Sequence, residues 1–241
     1  MIGRFLEISV HTPDILQSLA FYEALGFQQV AVNETWSYPY VVITDGRLFL
    51  GLHQHPLNSP TLTFVKADLA RHVNDLHALN IKFDLEHLGS DEFNELNFHD
   101  PNGQPIRILE ARTFSPPDVS PTFSSTCGYF VEYGIPVKEF APAIAFWEHF
   151  GLIALEPENK LFERMPLTSD HLNLGLHRSR ALRHPLLVFE DDAMQTRLKT
   201  LKERGFELSD EMPDALDAEC NAVLVAPEGT RCLLMQTVTA D

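Results

Sequence analysis

Residues 48–56 read LFLGLHQHP, and residues 172–179 read LNLGLHRS. In both stretches leucines occupy every second position up to a Gly-Leu-His, and a shift of 124 positions superimposes the two Gly-Leu-His triplets. Alternation of this kind predicts a β-strand with one buried face. If the leucines of the first stretch face a core, then Phe49, Gly51, His53 and His55 face the opposite side. The same strand therefore occurs twice in the chain, with a histidine at the same point.

The segments before these strands repeat as well. Residues 5–27 predict a strand and then a helix, with Thr12 as the cap, Pro13 as the first helical residue and Gly26 after the end. Residues 129–152 show the same pattern, and a shift of 125 positions carries FYE at 21–23 onto FWE at 146–148. Two matches at nearly one offset indicate an internal duplication.

Each half also divides within itself. Residues 61–83 and 186–208 each predict a second strand and helix, and residues 95–111 and 220–236 each predict two strands around a turn. The order strand, helix, three strands thus occurs four times and predicts an α+β fold of paired βαβββ modules, with mixed sheets and helices outside. A Pro- and Ser-rich stretch at 114–126 marks a linker. We expect domains at 1–112 and 128–241, joined by a linker at 113–127.

Composition limits the classes of partner. The chain has 18 Lys and Arg against 34 Asp and Glu, a formal charge of −16, which opposes binding to nucleic acid and to anionic membranes. No apolar run approaches the length of a membrane span, the first residues do not resemble a secretory signal, and three cysteines do not make a disulfide framework. We expect a cytoplasmic monomer or homodimer with a small-molecule ligand.

Two segments resemble a known family. PDILQSLAFYEALGF at 13–27 and DPNGQPIRILEA at 100–111 are similar to the opening helix and closing hairpin of the vicinal oxygen chelate superfamily, which includes glyoxalase I, bleomycin resistance proteins and extradiol dioxygenases. The resemblance covers nearly the whole chain. It implies that each pair of modules curls its sheet into a cup that holds a ligand and, in metal-dependent members, one divalent ion.

The resemblance also implies where metal ligands would lie, on the first and late strands of each module. The first half has Glu7 and His53 at two of these places, and Thr61 and Arg107 at the other two. The matching places of the second half are held by Glu132, His177, Leu186 and Leu233. Each half therefore keeps two candidate ligands for Zn, Fe, Mn or Ni, where a catalytic site of this family has three or four.

Two interpretations of the first-half residues remain open. Glu7 and His53 form either a hydrogen-bonded pair lining a pocket or part of a metal site, and Glu7 is the candidate catalytic base. Arg107 makes either a salt bridge to Glu7 or Glu110, or an anchor for a carboxylate or phosphate of the ligand. Trp36, Tyr38 and Tyr40 alternate in ETWSYPYVV at 34–42, which reads as an aromatic strand.

The first-half cup is expected to be the functional one, because its places hold convergent polar groups. Its predicted ligand-binding residues are Phe49, Thr61, Thr63, Arg107, Trp36 and Tyr38. The incomplete ligand sets favour a small-molecule binding protein of the bleomycin resistance type, with no cofactor required. The alternative is a divalent-metal-dependent lyase, isomerase or dioxygenase of the same superfamily, and a third possibility is an interaction module with vestigial cups.

Overall fold

The computed structural model describes residues 2–32, 36–90, 93–111 and 125–237. The first half contains β1 (Arg4–His11), α1 (Ile15–Ala24), β2 (Gln28–Val30), β3 (Tyr40–Thr44), β4 (Phe49–His53), β5 (Thr61–Lys66), α2 (Leu69–Ala78), β6 (Phe83–His87), β7 (Glu95–His99) and β8 (Pro105–Glu110). The second contains β9 (Tyr129–Pro136), α3 (Phe140–His149), β10 (Ile153–Ala154), β11 (Glu163–Thr168), β12 (Asn173–Arg178), β13 (Leu186–Asp191), α4 (Met194–Glu203), β14 (Leu208–Ser209), β15 (Ala222–Val225) and β16 (Arg231–Gln236). The predicted order of elements is confirmed.

Each half forms one eight-stranded mixed sheet that does not close into a barrel. The first sheet has the order β2-β3-β4-β1-β5-β8-β7-β6, and the second repeats it with β10-β11-β12-β9-β13-β16-β15-β14. In the first sheet β1 is parallel to β4 and antiparallel to β5, so the two modules meet at its centre. The predicted duplicated α+β fold is therefore confirmed.

Leucines at alternate positions build the core as expected. Leu48, Leu50 and Leu52 are buried against the helices, and the corresponding leucines of β12 occupy the same face of the second sheet. Burial of such side chains supplies most of the driving force for folding. The opposite face of the first sheet, which carries Glu7 and His53, is the first cup, and its counterpart in the second sheet is the second cup.

The start of α1 differs from the prediction. Asp14, not Thr12, is the N-cap residue, because its Oδ1 accepts hydrogen bonds from the backbone N–H groups of Leu16 and Gln17 at 3.1 Å each. Thr12 instead donates its hydroxyl to the Asp14 carbonyl, and Pro13 precedes the helix. An Asp and a Thr two residues apart both suit a cap, and the backbone geometry selects Asp14.

The two halves contact each other through their closing turns. Glu228 in the turn between β15 and β16 accepts hydrogen bonds from Tyr22 Oη at 2.7 Å and Ser18 Oγ at 2.9 Å on α1. Reciprocally, Gln104 in the turn between β7 and β8 accepts from Tyr133 Oη at 2.9 Å on β9. The predicted linker falls largely on residues 112–124, outside the described residues, and the domain boundaries stay a prediction.

No helix of the described segments is long and apolar enough to cross a membrane.

Candidate functional site

Three strands bring a row of polar side chains onto the first cup. Glu7 on β1 pairs with Thr63 on β5, and Thr63 pairs in turn with Arg107 on β8. Side chains at directly paired positions point to the same face of a sheet. The structure therefore places three of the predicted site residues, Glu7, Thr63 and Arg107, side by side on one face of the sheet.

Glu7 is the centre of a buried hydrogen-bond network. Its Oε1 accepts from Ser9 Oγ at 2.7 Å and lies 3.1 Å from His53 Nε2, and its Oε2 accepts from Tyr40 Oη at 2.6 Å. Ser9 Oγ also lies 2.7 Å from Thr63 Oγ1. Each carboxylate oxygen of Glu7 is thus already engaged by groups of the protein. In the structure, Glu7 and His53 form a hydrogen-bonded pair.

Aromatic rings cover this network. Tyr40 lies with its ring centroid 4.5 Å from that of His53, and Tyr38 Oη is 3.2 Å from His53 Nδ1. Trp36 stacks on Tyr38 at 5.5 Å. Burial raises the pKa of the Tyr40 hydroxyl far above its usual value, with Glu7 adding to the effect, and burial also raises the pKa of Tyr38. Both phenols therefore remain neutral hydrogen-bonding groups.

The predicted aromatic strand is shorter than residues 34–42 suggested. Strand β3 begins at Tyr40, so Trp36 and Tyr38 belong to the irregular segment before it. Pro39 explains the boundary, because proline has no N–H to donate to a neighbouring strand. Residues 33–35 lie outside the described residues.

Arg107 has a different partner from those predicted. Its Nε lies 2.9 Å from Glu95 Oε1, rather than bonding Glu7 or Glu110. Glu110 accepts from Asn94 Nδ2 at 2.7 Å. The guanidinium also lies 5.3 Å from the centre of the Trp36 ring, a cation–π distance. The sequence did not predict Glu95 as a site residue, although alternation along β7 puts it on the same face of the sheet as its partner Arg107.

A cavity of about 470 Å³ opens beside this row. Thr61, Asn97 and Arg107 contribute to its wall, and the Thr61 hydroxyl donates to the Asn58 carbonyl. Phe49 lies elsewhere: it lines a separate cavity of about 360 Å³ together with Phe130 of the second half. The structure thus groups Thr61, Thr63, Trp36, Tyr38 and Arg107 around the Glu7–His53 pair and places Phe49 apart from them.

The second half repeats the geometry with different chemistry. Arg164 takes the place of Tyr40, since each lies opposite the histidine of the neighbouring strand. Arg164 Nη2 contacts Glu132 Oε2 at 2.7 Å, so Glu132 bonds the guanidinium and not His177. Burial raises the pKa of Glu132, although Arg164 opposes this. Neither ring nitrogen of His177 has a partner within the described ranges, and burial, with Arg164 adding to it, lowers its pKa to about 4.

Apolar side chains occupy part of the second cup, beside a cavity of about 480 Å³ that Arg164, Glu190 and Met235 help to line. Val188 pairs with Glu132 and with Leu233, where the first half has Thr63 and Arg107. The segment between β14 and β15 lays Met212 and Leu216 over them. The resulting cluster contains Leu182, Leu186, Val188, Met212, Leu216, Val223, Leu233 and Met235. This part of the face is a second hydrophobic cluster, as the leucines at two of its metal-ligand places led us to expect.

The first cup offers an incomplete set of ligands for a divalent metal ion. In the part of the chain that the structure describes, no three His, Cys, Asp or Glu side chains come together as a ligand set. The carboxylate of Glu7 is occupied by protein donors, and Arg107 brings a positive charge to the place of a ligand. Carboxylate and imidazole are suitable ligands, but two of them beside a guanidinium make a weak site.

Comparison with known proteins links the fold to two enzyme types. No protein-family model matches the sequence, and no curated protein matches it significantly. A catechol 2,3-dioxygenase structure superposes with a TM-score of 0.61 at 15% identity over 97% of this chain and 87% of its own. The 2,2',3-trihydroxybiphenyl 1,2-dioxygenase of Sphingomonas wittichii gives 0.64 at 14% over 98% and 91%. The Mn(II)-bound glyoxalase of Novosphingobium aromaticivorans gives 0.62 at 12% over 97% and 82%.

Proposed function

Because the chain has the fold of the vicinal oxygen chelate superfamily, we propose that it binds a small organic molecule in the first cup without a resident metal ion. The observation that carries this proposal is the contrast between the halves. Cavities of similar size, about 470 Å³ and about 480 Å³, lie beside the two cups, but Thr63 and Arg107 continue the polar row in the first, whereas Val188 and Leu233 hold those places in the second. A concave site with polar groups held in fixed positions is the usual form of a ligand site.

Binding without metal is supported by the residues that replace a ligand set. Arg107 supplies a permanent positive charge and hydrogen-bond donors where metal-dependent relatives are expected to place a carboxylate. Trp36 and Tyr38 lie outside the wall of the cavity, but Trp36 contacts Arg107, so the two stacked rings offer flat apolar surface next to the cavity. These groups recognise an organic molecule directly and need no ion to orient it.

The alternative, a metal-dependent lyase, isomerase or dioxygenase, receives less support from this geometry. The dioxygenases and the Mn(II)-bound glyoxalase share the fold at 12–15% identity. Metal-assisted chemistry needs an ion held by three or more ligands and, for isomerisation, a free base. Glu7 accepts hydrogen bonds on both oxygens and is poorly suited to either role. Cytoplasmic location, a monomeric or dimeric state and the absence of nucleic-acid and membrane partners stay predictions.

Fragment binding measured by ligand-observed NMR tests the proposal. Fragments that bind the wild-type protein should bind equally well after chelator treatment. Their binding should be lost in Leu85→Trp, which places an indole at the rim of the cavity. The control is Val225→Trp, because Val225 and Leu85 are both 41% exposed and Val225 is absent from that cavity wall. Binding that requires added metal, or that Leu85→Trp leaves unchanged for every fragment, would overturn the proposal.

A further inference from the structure

Two buried polar atoms, on residues that line the cavity of the first cup, lack hydrogen-bond partners among the described residues. They are Arg107 Nη1, a donor, and Asn97 Oδ1, an acceptor. Both residues line the cavity. Buried polar atoms without a partner are rare in folded proteins, because each loses its bonds to water and gains nothing in return. An unmatched donor and an unmatched acceptor in one cavity therefore point to a group that joins them.

The two residues are held side by side. Asn97 on β7 pairs directly with Arg107 on β8, and Glu95 Oε1 accepts from Arg107 Nε at 2.9 Å and from Asn97 Nδ2 at 2.8 Å. The shared carboxylate oxygen fixes both groups. It also fixes the orientation of the Asn97 amide: since the NH₂ group faces Glu95, the carbonyl oxygen is the atom left for a ligand.

The charges around these atoms oppose an anionic ligand. Glu95 already neutralises Arg107. Asp84 adds a second carboxylate to the cavity wall, paired with His99 at 2.7 Å, and the Glu7 carboxylate lies on the same sheet face. A carboxylate or phosphate would bring a further negative charge into this environment and would leave Asn97 Oδ1 without a donor. A neutral group that carries an acceptor beside a donor can bond both Arg107 Nη1 and Asn97 Oδ1 without adding a negative charge to the cavity.

We propose that the ligand of the first cup presents a carboxamide-type group, a carbonyl next to an N–H, to Arg107 and Asn97. The carbonyl oxygen accepts from Arg107 Nη1 and the N–H donates to Asn97 Oδ1. This inference rests on the proposed binding function and replaces the anionic ligand that the sequence suggested for Arg107. Leu57 and Leu85 also line the cavity, so an aromatic or heteroaromatic amide can pack its ring against apolar side chains there.

Benzamide and benzoate are matched probes, because they differ in the NH₂ group and the charge alone. Dissociation constants are measured by NMR titration of the full chain. We expect benzamide to bind about tenfold more tightly than benzoate, and Asn97→Leu to weaken benzamide by about tenfold while changing benzoate by less than about twofold. Asn173→Leu, at an exposed position of β12 in the second half, is the control. Equal or tighter binding of benzoate would overturn the inference.

A second measurement guards against misfolding of the variant. In wild-type protein, benzamide should shift the side-chain amide resonances of Asn97 and the Nε–H resonance of Arg107, and unmoved resonances would contradict the inference. If neither probe binds while other fragments occupy the cavity, the carboxamide assignment fails and the binding function stands. If no fragment binds in the cavity, both fail.

Discussion

The Glu7 carboxylate occupies the space that a side chain at position 51 would need. A Cβ built on Gly51 would overlap Glu7 Oε1, and a Cβ on Gly175 would overlap Glu132 Oε1 in the same way. The glycine of each Gly-Leu-His strand is therefore required by the glutamate of the neighbouring parallel strand. This explains why the triplet and the glutamate recur together in the two halves.

Gly51→Ala should destabilise the protein by about 2–3 kcal/mol, because the new methyl group must displace a buried and fully hydrogen-bonded carboxylate. The measurement is urea denaturation of the four members of a double-mutant cycle with Glu7→Ala. Removing the carboxylate first should make the alanine nearly neutral at position 51. Additive effects of the two substitutions would show that the two positions do not compete for space.

Tyr40→Phe should cost about 1–3 kcal/mol, since it removes the donor to Glu7 Oε2 and leaves a buried carboxylate oxygen with one fewer partner. Tyr129→Phe is the matched control, because that side chain is exposed. Chemical denaturation of both variants gives the comparison. Equal stability of the two variants would mean that water replaces the Tyr40 hydroxyl at Glu7.

The repeat in the sequence predicted the fold well because two independent features agreed. Strand alternation identified which leucines are buried, and the near-constant offset identified the duplication. The alternation of side chains along β1 and β4 also predicted that Glu7 and His53 share one face of the sheet, where His53 Nε2 lies 3.1 Å from Glu7 Oε1. Local pattern is sufficient for these features because the side-chain period of a strand is fixed at two.

Two features could not be predicted from the sequence: which carboxylate pairs with Arg107, and which side chains occupy each cup. Glu7 and Glu110 were the partners predicted for Arg107, and only the pairing of β7 with β8 selects Glu95. Arg164 occupies the position in the second half that Tyr40 occupies in the first. This correspondence follows from the register between β11 and β12, which the sequence alone does not define. Met212 reaches the second cup from a segment without regular periodicity. Phe49 lies at the expected alternate position of β4, but it is the first residue of that strand and lines a cavity separate from the network around Glu7.

His177 should make the stability of the protein depend on pH. Its folded pKa of about 4 lies below the ordinary value of 6.5, so the unfolded chain binds the proton more readily. Its contribution is present above about pH 6.5 and is lost as the pH falls through that value toward 4, by roughly 2 kcal/mol between pH 7 and pH 5. Denaturation at both values should show a smaller decline for His177→Leu than for wild type. His171→Leu, at an exposed position, should decline as wild type does.

Arg107→Glu should convert the first cup into a better metal site. The substitution puts a carboxylate on the row that already holds Glu7, removes the guanidinium that repels a cation, and frees Glu95 from its ion pair. Calorimetric titration with Zn²⁺ or Ni²⁺ should show affinity raised roughly tenfold or more over wild type. The gain should disappear when Glu7→Ala or His53→Ala is added. Arg178→Glu makes the same change of charge at an exposed position and should have no such effect. Tight stoichiometric binding by the wild-type protein, lost in Glu7→Ala or His53→Ala, would contradict the metal-free site and restore the metalloenzyme alternative.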